Sequence, residues 1–325
     1  MTPAVPVIDL HVNDAAARIA RACEQSGFLV ITNHDVDPAV TKAAWTAARK
    51  FFDLPLADKM AVAMPYPGYP YGYAPLQGER LAASLGTETP PDLKETFSMG
   101  PISRPVEVAG DAQFADPAEA FVYEPTPWPA TLVEFRPAME AYYIAQAELV
   151  ARIMTLFAEA LDLPRDFFDA RIDRHTSALR ALNYPSLTEP PAAGQLRAGA
   201  HTDYGTLTVL KADDTAGACA EGLEVQVDDR WVAVPLVEDS FIVNLGDAMS
   251  RWTNDRWRST LHRVVVPRAE IAATARRQSI AFFHNANWDA VIECIPSCLA
   301  PGESPRYAPV TAGEHLMSKF QSTQY

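Results

Sequence analysis

His201 and Asp203 stand two positions apart at the head of an apolar run, in the segment GAHTDYGTLTVLKA at 199–212. On a strand, residues i and i+2 project from the same face, so this imidazole and this carboxylate would converge. Alone, the pair is most simply a hydrogen-bonded or salt-bridged couple. A third residue changes that reading: His262, in RSTLHRVVVP, heads another apolar run. Two imidazoles and a carboxylate on rigid strands form the facial triad of non-haem Fe(II) oxygenases, which leaves neighbouring metal positions open. Zinc accepts the same ligand types and competes at this stage. Further on, ARRQSIAFFHN sets Arg277 and Ser279 two apart as well. A guanidinium and a hydroxyl on one inward face can clamp a carboxylate, with the arginine bonding it in a fork. Asn183 and Tyr184, in RALNYP, add polar groups at the end of another run.

Such side chains need a rigid frame. Beyond about residue 175 the chain breaks into short β-branched or aromatic runs (SALRALNYP, TLTVLKA, LEVQV, WVAVP, SFIVNLG, HRVVVP, SIAFFHN) separated by turn residues. That spacing predicts an antiparallel sandwich or barrel. Upstream, PVIDL (6–10) and FLVITN (28–33) read as strands free to join its sheets. A helix lies between them, with Asn13 as its N-cap and Gly27 as its stop. DPAVTKAAWTAARKFFDLP carries apolar residues at helical spacing, with Pro38 near its start and Pro55 ending it. Residues 64–127, rich in Pro, Gly and Tyr, read as loops with short strands. The longest helical pattern runs over 128–164, where Pro137 must begin a new helix or kink this one. The chain thus divides into an N-terminal region (1–125), connecting helices (126–172), and a β core with a C-terminal tail (173–325).

Composition narrows the function. The 325 residues carry 27 Lys and Arg against 41 Asp and Glu, a net charge of −14. Such a surface repels phosphate backbones and anionic bilayers, which argues against nucleic-acid and membrane partners. No apolar run approaches the roughly 18 residues of a spanning segment, and MTPAVPVIDLHVNDAAARIA lacks the features of a signal peptide. The 4 cysteines make no disulfide framework, and Cys294 and Cys298 read as buried thiols. A cytoplasmic protein acting on a small molecule is the expectation. No G-x-S-x-G element supplies a nucleophile. Asp247, beside Gly246, reads as a turn or capping residue. His284, His11, His34, His175 and His315 read as structural.

Taken together, NYP, HTDYGTLTVL, GLEVQ, NLGDAMSRWTNDRWRSTLHRVVVP and RQSIAFF, with VPVIDL, GFLVITNH, KETFSMG and PWP upstream, resemble the isopenicillin N synthase-like family of Fe(II)/2-oxoglutarate-dependent dioxygenases along almost the whole chain. The resemblance implies a mainly β fold with flanking helices, built on a double-stranded β-helix or jelly roll. It implies that His201, Asp203 and His262 ligate Fe(II), that Arg277 and Ser279 hold the C5 carboxylate of 2-oxoglutarate, and that Tyr184, with Asn183 close by, supports this co-substrate. O2 is the second co-substrate, and the product is an oxidised small metabolite: hydroxylated, desaturated or cyclised. The family commonly reads Asn-His-Gly where this chain has Asn33, His34 and Asp35, and a doubled tyrosine where it has Tyr184 alone. Substrate walls are assigned to the 66–100 loops, with Tyr71, Tyr73 and Phe97, and to Phe283 and Trp288; simple packing of a Pro-rich loop is the competing role of the tyrosines. Two other functions compete with the leading one. They are an iron oxidase of the same fold that uses O2 without 2-oxoglutarate, and a metal-bound sensor without turnover.

Overall fold

The computed structural model describes residues 4–103, 114–213 and 222–323. Its strands are β1 (Val7–Asp9), β2 (Phe28–Thr32), β3 (Gly72–Ala74), β4 (Glu95–Met99), β5 (Ala178–Tyr184), β6 (Ala198–His201), β7 (Leu207–Ala212), β8 (Leu223–Val227), β9 (Arg230–Ala233), β10 (Phe241–Leu245), β11 (His262–Val264), β12 (Arg277–His284), β13 (Val291–Ile292) and β14 (Val310–Thr311). The helices are α1 (Ala15–Gln25), α2 (Pro38–Phe52), α3 (Leu56–Met60), α4 (Phe135–Ala160), α5 (Asp169–Ile172), α6 (Asp247–Trp252) and α7 (Ala312–Thr323). None of them is long and apolar enough to cross a membrane.

From β5 to β12 the chain passes back and forth between two facing sheets, which is the jelly roll. The larger runs β1-β2-β10-β7-β12-β5-β4-β3 and the smaller β6-β11-β8-β9. Both upstream strands read from the sequence join the larger sheet, β1 parallel to β2 and β2 antiparallel to β10. Because side chains alternate across a strand, the larger sheet has two different faces. Its outer face meets α1, α2 and α4 through an apolar core that includes Phe51, Phe97 and Phe135, the rings of Phe51 and Phe135 stacked at 4.9 Å. Its inner face, with Phe28, Leu182, Tyr184 and Ala281, packs against Leu223, Val225 and Val264 of the smaller sheet. The site lies on this inner side.

Several local readings change. Asp14, not Asn13, stands at the N-cap of α1, and its carboxylate bonds Arg18 rather than the helix backbone. The α2 helix ends at Phe52, so Pro55 opens α3 instead of ending its predecessor. Pro137 neither kinks α4 nor starts it; it falls in the first turn, where a backbone N–H has no intrahelical partner to lose. Cys298 is buried, but Cys294 is only partly so. Asp35 adopts φ 58°, the left-handed conformation that a glycine serves most easily and that aspartate tolerates. Arg152 and His11 both bond its carboxylate at the surface.

A knot of three segments holds the loop after Asp203. Thr206 N–H donates to the His284 carbonyl (2.9 Å), Gly246 N–H to the Thr206 carbonyl (3.0 Å), and Asp247 N–H to the Asp203 carbonyl (2.8 Å). The backbones approach so closely that a Cβ on Gly246 would sit 2.2 Å from the Gly205 carbonyl oxygen, and one on Gly205 would sit 2.2 Å from that of His284. Gly246→Ala is therefore expected to destabilise the fold by about 1–3 kcal/mol through overpacking, and to weaken iron binding because Asp203 moves with the loop. Denaturant unfolding and an iron titration of the variant check both effects.

Candidate functional site

The smaller sheet sets His201 directly opposite His262, and their rings lie 4.3 Å apart between centroids. Asp203 follows β6 and brings Oδ1 to 3.9 Å from His201 Nε2 and 3.8 Å from His262 Nε2. The donor atoms of the three residues lie within 4.8 Å of one another, a group able to hold a metal ion.

The remaining polar atoms of the three are occupied in a way that leaves these donors available. His201 Nδ1 lies 2.8 Å from the Gly199 carbonyl and His262 Nδ1 3.1 Å from that of Thr260. A carbonyl only accepts, so each ring donates from Nδ1 and keeps its Nε2 lone pair for a metal. Asp203 Oδ2 accepts from Thr208 Oγ1 (2.6 Å) and Asn244 Nδ2 (2.7 Å), which leaves Oδ1 facing the imidazoles. Burial, reinforced by the neighbouring His262, pushes His201 well below the usual imidazole range, so the ring is neutral at pH 7. Burial alone would raise Asp203, but His262, His201 and the two hydrogen bonds outweigh it and hold the carboxyl below its ordinary value. A neutral imidazole and an ionised carboxylate are the forms that ligate a metal.

One row of cross-strand pairs underlies this end. Phe28 of β2 opposes Asn244 of β10, which opposes Thr208 of β7, which opposes Phe283 of β12. Phe28 meets the His262 ring edge-on at 5.3 Å, the middle pair bonds Asp203, and Phe283 extends the floor beyond the metal donors. Asn244 was legible as a polar residue inside the apolar run FIVNL, and Thr208 less so, since threonine is common in strands.

Arg277 and Ser279 lie on the same inner face, toward the start of β12, Arg277 opposite Tyr184. Arg277 Nη1 donates to Ser279 Oγ at 3.3 Å, and its guanidinium carbon sits 4.9 Å from the Tyr184 ring centre. It is buried, and among the described residues no carboxylate pairs with it. A buried unpaired cation is costly, so the arrangement suits an anion that arrives with a ligand. Phe283 stands four positions beyond Ser279, roughly 13 Å of strand, room for a short dicarboxylate between the arginine and the donor set.

Other sequence-derived candidates lie elsewhere. Asn183 is on the opposite face of β5 from Tyr184: its Nδ2 donates to Glu95 Oε1 (2.8 Å), and its Oδ1 accepts from Arg276. It stands apart from the inner-face cleft, because adjacent strand residues point opposite ways. Tyr73 donates to Glu95 in that outer-face network, beside Lys59, and Phe97 packs against Phe51 and Phe135. Both are core residues, not cleft walls. Tyr71 is buried and bonds the Val122 carbonyl (2.7 Å). Trp288 joins Leu316 of α7, Val122 and Tyr204, the residue after Asp203. Phe283 does face the cleft. Asp247 is not a metal donor. It opens α6 and ties Thr202, Ser259 and Lys319 of α7 together. His284 is structural, its Nδ1 2.6 Å from Thr206 Oγ1.

Sequence reading missed the wall of the cleft beside Phe283. Arg180 of β5 donates from Nε to Ser98 Oγ (2.9 Å) and from Nη1 to Glu79 Oε1 (3.2 Å). Lys94 Nζ lies 3.2 Å from Glu79 and 2.8 Å from Asp92. Asp92 Oδ1 in turn accepts from Gly199 N–H of β6 (2.9 Å), two residues before His201.

A two-sheet jelly roll with a His-Asp-His donor set and, on the same inner face, a buried arginine without a carboxylate partner among the described residues is the arrangement of a class: non-haem iron oxygenases with an acidic co-substrate. Comparison with known proteins agrees. Residues 5–131 match the model described as non-haem dioxygenase in morphine synthesis N-terminal, and residues 175–286 match the 2OG-Fe(II) oxygenase superfamily. The chain is 32% identical to the 2-oxoglutarate-Fe(II) type oxidoreductase hxnY of Emericella nidulans, over 98% of this chain and 90% of that protein. It is 36% identical to validamycin A dioxygenase of Streptomyces hygroscopicus subsp. limoneus, over 98% and 86%. A full-length Neurospora crassa protein solved with alpha-KG superposes with a TM-score of 0.82 at 29% identity, over 98% of this chain and 96% of that one. The chain belongs to the 2OG-Fe(II) oxygenase superfamily. It is a 2-oxoglutarate-dependent iron oxygenase of small substrates, using Fe(II), 2-oxoglutarate and O2. The readings as a 2-oxoglutarate-free oxidase and as a sensor fall away.

Two outcomes follow from this geometry. Asn244→Ala and Thr208→Val each strip one hydrogen bond from Asp203 Oδ2, and each should weaken iron binding about 10- to 100-fold, read by metal titration of the folded variants. The second concerns acid. Burial works to raise Glu79, but Arg180 and Lys94 overcome it and hold the carboxyl down to about 2, against an ordinary 4.5. A depressed acid contributes stability that is present above its unfolded pKa and lost as pH falls toward the folded one. Glu79→Gln should therefore flatten the decline of Tm between those two pH values.

Proposed function

We propose that His201, Asp203 and His262 are the Fe(II) ligands, that Arg277 and Ser279 hold the distal carboxylate of 2-oxoglutarate, and that Tyr184 backs this clamp. Fe(II) with 2-oxoglutarate and O2 supplies the oxidising chemistry, in which 2-oxoglutarate loses CO2 to become succinate while a substrate C–H bond is oxidised. The protein's part is positional. Thr208 and Asn244 keep Asp203 turned toward the imidazoles, and the Gly199 and Thr260 carbonyls keep both rings in the ligating tautomer. The buried guanidinium, with the Ser279 hydroxyl beside it, would hold the distal carboxylate of the co-substrate.

The observation that carries this reading is Arg277 itself: buried, on the same inner face as the residues that bond Asp203, and with no carboxylate partner among the described residues. For the prime substrate, the relatives supply a range. Their names refer to validamycin A, proline and gibberellin, and the Neurospora crassa protein has been solved with thymine. All are small molecules, and this cleft is proposed to take another of that size.

Arg277→Leu keeps side-chain volume and removes the charge. Leaving a buried carboxylate unpaired costs about 3–5 kcal/mol, or two to four decades in 2-oxoglutarate affinity at ~1.4 kcal/mol per decade. Arg277→Lys should fall between, since a point charge cannot reproduce the fork. Iron affinity should hold in both, while His201→Ala or His262→Ala loses it. The 2-oxoglutarate dependence of succinate release is the measurement. An unchanged dependence in Arg277→Leu places the carboxylate elsewhere.

A further inference from the structure

Arg180 sits on β5, an interior strand flanked by β12 and β4, and yet its side chain is 28% exposed. A side chain on the inner face of an interior strand can be exposed only to the cleft. Its register places it there: Arg180 opposes Ala281 of β12, whose inner-face neighbours are Ser279 and Phe283. The guanidinium carbon lies 6.0 Å from the Phe283 ring centre, and Phe283 opposes Thr208, the donor to Asp203. Glu79 shares the position, 23% exposed. Lys94 and Asp92 are sealed behind them at 1% and 2% exposure.

Hydrogen bonds fix the guanidinium. Nε is committed to Ser98 and Nη1 to Glu79, while the described residues offer Nη2 no acceptor. Glu79 Oε2 already receives Arg180 and Lys94, whereas Oε1 receives Arg180 alone and can accept another donor. The exposed edge of this pair is therefore a donor beside an acceptor. Its charge is balanced, two cations against two carboxylates, Arg180 and Lys94 against Glu79 and Asp92. In this it differs from Arg277, which has no carboxylate partner among the described residues. A substrate carboxylate brought to Arg180 would meet Glu79 on the same guanidinium and leave one anion poorly compensated.

We propose that Arg180 and Glu79, above Phe283, form the prime-substrate subsite, and that it takes an uncharged ring containing an amide, such as a lactam or cyclic imide. This proposal rests on the assignment of the metal and co-substrate residues above. A ring amide is held cis, so its N–H and C=O lie on one edge. The carbonyl oxygen accepts from Arg180 Nη2, the N–H donates to Glu79, and the ring lies against Phe283. An open-chain trans amide points the two groups in opposite directions and cannot match the edge.

The test uses the whole protein with Fe(II) and 2-oxoglutarate, and the probes are uracil, 2-piperidone and cyclohexanecarboxylate. Anaerobic calorimetry gives their affinities, and stimulation of succinate release on admitting O2 gives coupling. The two ring amides should bind and stimulate, and the carboxylate should do neither. Arg180→Met and Glu79→Gln should each weaken ring-amide binding about 10- to 100-fold, the worth of one hydrogen bond to a charged group. Arg180→Lys should recover part of it. Iron and 2-oxoglutarate affinities, measured anaerobically, certify that each variant is folded; should Glu79→Gln unfold because Lys94 loses its partner, Arg180→Met and Ser98→Ala carry the test. Preference for cyclohexanecarboxylate, or ring-amide affinity untouched by Arg180→Met, overturns the proposal. Wild-type 2-oxoglutarate affinity in Arg277→Leu instead overturns the assignment beneath it, so the two failures are separable.

Discussion

The metal end of this protein depends on how one carboxylate is divided. Asp203 gives Oδ2 to Thr208 and Asn244 and keeps Oδ1 for the point where the imidazoles converge. Both donors come from the larger sheet, whereas the imidazoles stand on the smaller one. The carboxylate is therefore where the two sheets meet chemically, and its geometry can be no better than their registers. A slip of one residue in β7 or β10 would turn Thr208 or Asn244 to the helix side, because the side-chain period is two. The close backbone knot of Gly205, Gly246 and His284 removes the remaining freedom of the loop that carries Asp203.

Charge then assigns the rest of the cleft. Two arginines face it from one sheet with opposite electrostatic completion. Arg277 has a hydroxyl and an aromatic face but no carboxylate among the described residues, while Arg180 is tied to Glu79 and backed by Lys94 and Asp92. An incomplete buried cation favours an anionic ligand, and a complete pair favours a neutral one. On the proposed assignments, one sheet carries two arginines of different ligand preference, and the neighbouring charges set the difference.

The outer face of the same sheet shows how alternation separates function from support. Glu95, Asn183, Tyr73 and Lys59 bond one another beneath the helices, facing away from the cleft. Asn183 is next to Tyr184 in the chain, yet the two serve different faces. Adjacency in sequence is a poor guide to shared function on a strand.

What the sequence determined by itself was whatever follows from spacing within a strand. Arg277 and Ser279 share a face because two residues is the period of the strand; the same spacing pointed to His201 with Asp203, but β6 ends at His201 and it is the tied loop that turns Asp203 toward the imidazoles. The jelly roll and its flanking helices were legible in short apolar runs between turn residues and in the longer helical patterns upstream. Tertiary structure alone decided whatever depends on which strand lies beside which. That Phe28, Asn244, Thr208 and Phe283 form one row under the metal donors follows from the order β2-β10-β7-β12, which joins residues far apart in the chain. That Glu79, in a loop with no regular pattern, meets Arg180 is equally invisible in the sequence. The reason is physical: alternation is local and set by backbone geometry, whereas cross-strand neighbours are chosen by the packing of the whole molecule.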